Sequence, residues 1–127
     1  MTESVTVLKF HEGACFDPDR LEELCVEIGE HRAEWELARG LEAMGLYLST
    51  LNKLTVHAPN SDIATPIGKL IDTAEKIGMT TLARVACDVR NCLNSGGEAA
   101  LAATLARLQR VGEKSIYDTC EIDGVSR

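Results

Sequence analysis

Aromatic side chains are scarce in this chain of 127 residues, at 4%, and prolines number only three. With so few rings, the core has to be built from aliphatic side chains, and Leu and Ala dominate. That composition favours helices. Folding one domain of this length buries roughly two thirds of the unfolded chain's surface, enough for a single core without staples. Basic charge is also in short supply. Thirteen Lys and Arg face twenty Asp and Glu, for a net charge of -7. Residues 1–60 carry 11 acidic and 5 basic groups, and residues 61–127 carry 9 and 8, so the acidity lies in the first half. Sequence-independent binding to nucleic-acid phosphates or anionic lipid needs a basic surface, so neither nucleic acid nor membrane is an expected partner.

Other absences exclude chemistry. The five cysteines, Cys15, Cys25, Cys87, Cys92 and Cys120, are odd in number and form no Cys-x-x-Cys pair. They read as buried reduced thiols of a cytoplasmic protein, not as a zinc site or disulfide framework. The residues three before His11, His31 and His57 are Leu8, Ile28 and Leu54. A di-iron helical core needs a carboxylate there, so no metal is expected. No Gly-x-Ser-x-Gly elbow and no glycine-rich phosphate loop occurs, and no cysteine has a base near it in sequence. The three histidines read as solvated surface groups. No cofactor is implied, and an independent enzyme is not expected. The start, MTESVTVLKFHEG, lacks a basic stretch followed by an apolar run, and no apolar stretch reaches the length of a membrane span.

What the sequence does contain is helical periodicity from residue 17 to 121, read as one domain. Residues 1–16 lack it, and read as a short strand or an extended arm able to pair with another copy in a homodimer. Residues 122–127 read as a frayed tail. Asp17-Pro18-Asp19 opens a short first helix, with Asp17 as cap and Pro18 in the first turn. Leu21, Leu24, Cys25 and Ile28 share one face, and Gly29 bends or ends the helix. A long second helix is expected over 31–56. Leu37, Leu41, Met44, Leu48 and Leu51 step by four and three along it to form a packing seam. Gly40 and Gly45 inside it suggest close helix contact, and Trp35, off the seam, is expected to pack on the first helix.

The break at His57-Ala58-Pro59-Asn60 leads to a third helix capped by Asn60, Ser61 or Thr65, with Pro66 in its first turn. Ile67, Leu70, Ile71, Ala74 and Ile77 form its inner face, and Gly78 reads as a left-handed stop. The fourth helix, about 80–93, buries Leu82, Val85, Ala86, Val89 and Leu93. Asn94-Ser95-Gly96-Gly97 turns the chain into a fifth, about 98–119, carrying Leu101, Leu105, Leu108 and Ile116. The expected fold is all-α. An antiparallel four-helix bundle with an extra short N-terminal helix buries these stripes most simply.

The run Ile67-Gly68-Lys69-Leu70-Ile71-Asp72-Thr73-Ala74-Glu75-Lys76-Ile77-Gly78, with Leu82 four residues on, resembles the third helix of bacterial histidine phosphotransfer (HPt) domains. There the run reads roughly Ala-His-x-Leu-Lys-Gly-Ser-Ala-x-x-Ile-Gly. Leu70, Thr73 (for Ser), Ala74, Ile77, Gly78 and Leu82 agree, and the resemblance covers 63–116. It implies a four-helix bundle of two-component signalling. The departures fall on the chemistry. Gly68 stands where the phosphorylated His belongs, Ile71 where a charge-neutralising Lys belongs, and Asp72 where a Gly gives the receiver room. Glycine offers no nucleophilic nitrogen.

The resemblance therefore implies a non-catalytic interaction module that docks a receiver or histidine kinase domain through the face around Gly68. Lys69, Asp72, Glu75 and Lys76 lie on or near that face, and Thr65 and Arg84 flank it. Two alternatives stand beside it. One is active phosphotransfer through another histidine, with His57 the best placed despite Asn60 where a Lys would be expected. The other is a structural or oligomeric bundle unrelated to signalling.

Overall fold

The computed structural model describes residues 17–54 and 58–123, with side chains as far as Tyr117. Five helices and no strand occur among these residues: α1 (Pro18–Ile28), α2 (Glu30–Asn52), α3 (Asn60–Lys76), α4 (Thr80–Ser95) and α5 (Glu98–Asp123). The all-α expectation holds for them. The expected arm over 1–16, with Cys15, lies outside the described residues, as do His57 and residues 124–127.

Local sequence accounts for most helix ends. The Asp17 carboxylate accepts the Asp19 N–H at 3.1 Å, and Pro18 occupies the first turn, where its missing N–H costs nothing. Gly29 closes α1 and opens α2 at φ 91°. The α3–α4 stop is a Schellman motif. Gly78 at φ 86° donates to Glu75 O at 3.3 Å, and Met79 donates to Ala74 O at 2.8 Å. Other ends depart from expectation: α2 stops at Asn52, short of the expected 56, and α5 runs to Asp123, beyond about 119. No side chain caps α3: Pro59 precedes it, and Thr65 Oγ1 instead donates to the Ser61 carbonyl at 3.1 Å. Pro66 consequently sits inside the helix, buried on its inner face, beyond the first turn. At the other boundary, α4 runs through Asn94 and Ser95, so the turn contracts to Gly96-Gly97.

The helix faces pack as their periodicity demands. The full seam Leu37, Leu41, Met44, Leu48 and Leu51 of α2 is buried. It meets Ile63, Ile67, Leu70, Ile71, Ala74 and Ile77 of α3, Leu82, Val85, Ala86 and Val89 of α4, and Leu101 and Leu108 of α5 in one core. Leu93, Leu105 and Ile116 pack at its margin, half-buried. Helix α2 contacts α3, α3 contacts α4, α4 contacts α5, and α5 returns to α2.

Two glycines set how closely helices approach. A Cβ on Gly40 would lie 3.2 Å from Ile77 Cδ1, so α2 and α3 meet there backbone to side chain. A Cβ on Gly112 of α5 would lie 2.6 Å from Leu48 Cδ1 of α2. Gly45 has nothing within 4 Å and brings no helix close, contrary to expectation, because it lies beside the seam rather than on it. At the same crossing, Gln109 Nε2 donates to the Leu48 carbonyl at 2.8 Å, tying α5 to α2 a second way.

Helix α1 lies against α2 and is anchored at the α3–α4 stop. Leu21 enters the common core, the Asp17 N–H donates to Gly78 O at 2.6 Å, and Arg20 Nε donates to Glu75 O at 3.1 Å. The last carbonyls of a helix have no partner within it. The Gly78 N–H already reaches the Glu75 carbonyl, and Arg20 adds a second donor from α1, so α1 reinforces the end of α3.

Candidate functional site

Side chains on α3 divide cleanly. Ile63, Pro66, Ile67, Leu70, Ile71 and Ala74 are buried. Ser61, Ala64, Thr65, Gly68, Asp72 and Glu75 recur at three- and four-residue steps, and so form one stripe on the opposite side. All are exposed except Gly68, which lies at the lowest point of the stripe and is half-buried. A Cβ built on Gly68 meets nothing within 4 Å. The backbone there is thus open to solvent, and a side chain of any size could project from it.

The expected site residues are not all brought together. Thr65, Gly68, Asp72 and Glu75 share the stripe. Lys69 and Lys76 lie two turns apart on its flank toward α2, where Lys76 Nζ pairs with Glu36 Oε1 at 3.5 Å. Lys76 is therefore partly committed within the chain. The Glu75 side chain is exposed, but its carbonyl is held by Arg20. Arg84 is exposed on α4, one turn before Asp88, whose carboxylate pairs with Arg107 of α5 at 3.7 Å. Helical register thus places Arg84 on the solvent side of α4, opposite buried Leu82, Val85, Ala86 and Val89.

The positions matched to the HPt pattern divide between core and surface. Leu70, Ala74, Ile77 and Leu82 are buried, and Gly78 makes the left-handed stop. Thr73 is half-buried, its methyl 3.4 Å from a Cβ placed on Gly40. Ile71 is buried in the core. The position that the resemblance sets against a neutralising lysine is thus taken up by a core side chain. Asp72 adds negative charge beside Gly68, which opposes an incoming phosphoryl group.

Among the described residues, no group of three or more His, Cys, Asp or Glu gathers to hold a metal ion, and no helix is long and apolar enough to cross a membrane. Cys25, Cys87 and Cys92 are free thiols, each half-buried, with Cys87 Sγ 3.7 Å from an Arg90 guanidinium nitrogen. His31 is exposed at the start of α2.

Sequence reasoning missed Arg20, Gln109 and Gly112. Gly112 did carry a signal, since a glycine amid the Ala, Leu and Arg of α5 costs about 1 kcal/mol of helix propensity. Nothing local marks Arg20 or Gln109, because their partners lie 55 and 61 residues away. Trp35, expected to pack on α1, is instead 51% exposed, with the Arg39 guanidinium 4.8 Å from its ring centroid. Comparison with protein-family models, curated proteins and solved structures found no match for this chain.

Proposed function

We propose that this chain is an HPt-like four-helix module that docks a receiver or histidine kinase domain through the outer face of α3 and does not itself carry phosphate. The observation that carries the reading is Gly68. By the resemblance it stands where the family carries its phosphorylated histidine; it has open space where a Cβ would project, and Ile67 and Leu70 beside it are buried. Further support comes from α2 to α5, which pack each on the next and close back on themselves as an antiparallel bundle would.

A bare backbone at the low point of an exposed stripe lets a second surface approach closely. Thr65 and Asp72 flank that point with one hydroxyl and one carboxylate, and Lys69 lies at the edge. These groups orient a partner without supplying a nucleophile. The missing imidazole nitrogen and the buried Ile71 together argue against phosphoryl transfer at this face.

Titration of the full chain with isolated receiver and kinase phosphotransfer domains tests this. Saturable binding that Gly68→Arg abolishes and Gly68→Ala retains is the expected result. Binding that ignores Gly68→Arg, or no binding by any such domain, overturns it. Acid-labile phosphate on the wild-type chain that is lost in His57→Ala would establish the phosphotransfer alternative instead.

A further inference from the structure

A single residue separates α1 from α2. Gly29 sits at φ 91° and ψ 152°, a combination essentially confined to glycine. It is exposed, and a Cβ built on it meets nothing within 4 Å, so nothing packed around it holds the bend. Its N–H donates to the Cys25 carbonyl at 2.8 Å, and its carbonyl accepts the Ala33 N–H at 2.9 Å. Both are the bonds that an uninterrupted α-helix makes at those positions, and neither depends on the φ or ψ of Gly29 itself. Rotation about those two angles alone would join Pro18–Ile28 and Glu30–Asn52 into one helix. The bend is held instead at the far end of α1. There the Asp17 N–H donates to Gly78 O, Arg20 Nε donates to Glu75 O at 3.1 Å, and Leu21 enters the core.

Straightening would redistribute the apolar side chains. Leu21, Leu24, Ile28 and Trp35 are spaced by three, four and seven residues, so one straight helix aligns them on one stripe. Leu37 and Leu41 of the buried seam follow Ile28 by nine and thirteen residues, which puts the seam about half a turn away. A straightened α1 thus points Leu21 and Leu24 away from its own core and leaves its seat there empty. Another α1 carries the groups that fill that seat: Leu21 for the core, Arg20 for the Glu75 carbonyl and the Asp17 N–H for Gly78 O. We propose that Gly29 is a hinge through which two copies of the chain exchange α1, each α1 taking its partner's seat. The interface within one chain fixes the occupant, because the exchange repeats it between chains. Exposed apolar groups beside the hinge then find a role. Ile28 and Trp35 are 37% and 51% exposed and line a shallow depression next to Gly29, with the Arg39 guanidinium 4.8 Å from the indole centroid. In the exchanged dimer the two straight helices cross between the bodies, which brings the hinge regions together and covers these side chains. The exchange does not depend on the function proposed for the Gly68 face.

Analytical ultracentrifugation of the full chain reads dimerisation, and isotope-filtered NOEs in a mixture of labelled and unlabelled copies read exchange. Arg20 Cβ lies 3.3 Å from a Cβ placed on Gly78, so NOEs between Arg20 of one copy and Gly78 of the other mark an exchanged dimer. Gly29→Ala disfavours the bent hinge by about tenfold, and each dimer straightens two hinges, so its dissociation constant falls by about a hundredfold. Gly45→Ala, an equally open glycine of α2, leaves that constant within about twofold. Trp35 is the only tryptophan, and its emission shifts to the blue as the dimer forms. Arg20→Ala removes the same bond from monomer and exchanged dimer. It therefore leaves the dissociation constant within about twofold but speeds interconversion, which has to unseat α1, by about fivefold or more. The variant introduces no backbone strain, so it tests the hinge even if Gly29→Ala folds poorly. The proposal is overturned by a wild type and Gly29→Ala that both stay monomeric at millimolar concentration, by a dimer whose Arg20–Gly78 NOEs stay within one copy, or by interconversion that Arg20→Ala does not speed.

Discussion

Two glycines inside helices, Gly112 on α5 and Gly68 on α3, have opposite surroundings. At Gly112 the Leu48 side chain of α2 fills the place of a Cβ, and Gln109 clamps the Leu48 carbonyl one turn earlier. At Gly68 there is only solvent. Both residues weaken their helices by about 1 kcal/mol relative to Ala. The first cost is offset by a close crossing that seats α5 against α2. Nothing within the described chain offsets the second. A helix-interior glycine that the fold does not require directs attention outward, to whatever approaches that face.

This contrast can be broken experimentally. Gly112→Leu should have the largest effect, because Leu48 is buried and cannot swing clear. A loss of about 3 kcal/mol in urea denaturation is expected, at the upper end of overpacking costs. A Gly112→Leu variant as stable as wild type would show that the seam relaxes freely. Next comes Gly78→Ala, which meets both a left-handed backbone and the close approach of Arg20 Cβ and Asp17 O, each 3.3 Å from the new methyl. Roughly 2 kcal/mol should be lost, and amide exchange should quicken in α1 along with the end of α3. Loss of stability without any loosening of α1 would refute its role in reinforcing α3.

Gly68→Ala reverses the sign. With nothing to strike, the new methyl should raise stability by about 1 kcal/mol, and a loss instead would mean that the α3 face is packed against something. Lys76→Ala is expected to have the smallest effect. Its pair with Glu36 is 3.5 Å long, and the lysine side chain is 58% exposed, so no more than about 0.5 kcal/mol should change. A larger loss would mark the flank between α2 and α3 as structural and weaken its place in a partner surface.

Much of the architecture was legible in the residues. Leu37, Leu41, Met44, Leu48 and Leu51 recur at helical spacing, and a stripe of that kind has to be buried wherever the helix goes. Asp17-Pro18 and Gly78 carry their backbone geometry in their own chemistry, so both boundaries could be read locally. The α3 cap could not. Asn60, Ser61 and Thr65 are all competent caps, and the helix used none of them: it begins at Asn60 with Pro59 before it. Trp35 was misread for a related reason. Being off the seam is equally consistent with packing on α1 and with facing solvent, and the indole is half exposed beneath the Arg39 guanidinium. Of the candidate site, the stripe from Thr65 to Glu75 was legible because it is simply the complement of the buried face. The pairing of Lys76 was not, since its partner Glu36 comes from α2, and neither was the setting of Arg84, whose neighbour Asp88 is held by Arg107 of α5.

The sequence alone indicated five helices between residues 17 and about 119, several of their stops and the faces they bury, because periodicity, caps and left-handed glycine act over a few residues. Tertiary structure decided what those faces meet. Arg20 reinforcing the end of α3, Leu48 occupying the space at Gly112, Trp35 left in water and Gly68 left bare all depend on which helices come together across the core, and no local rule encodes that.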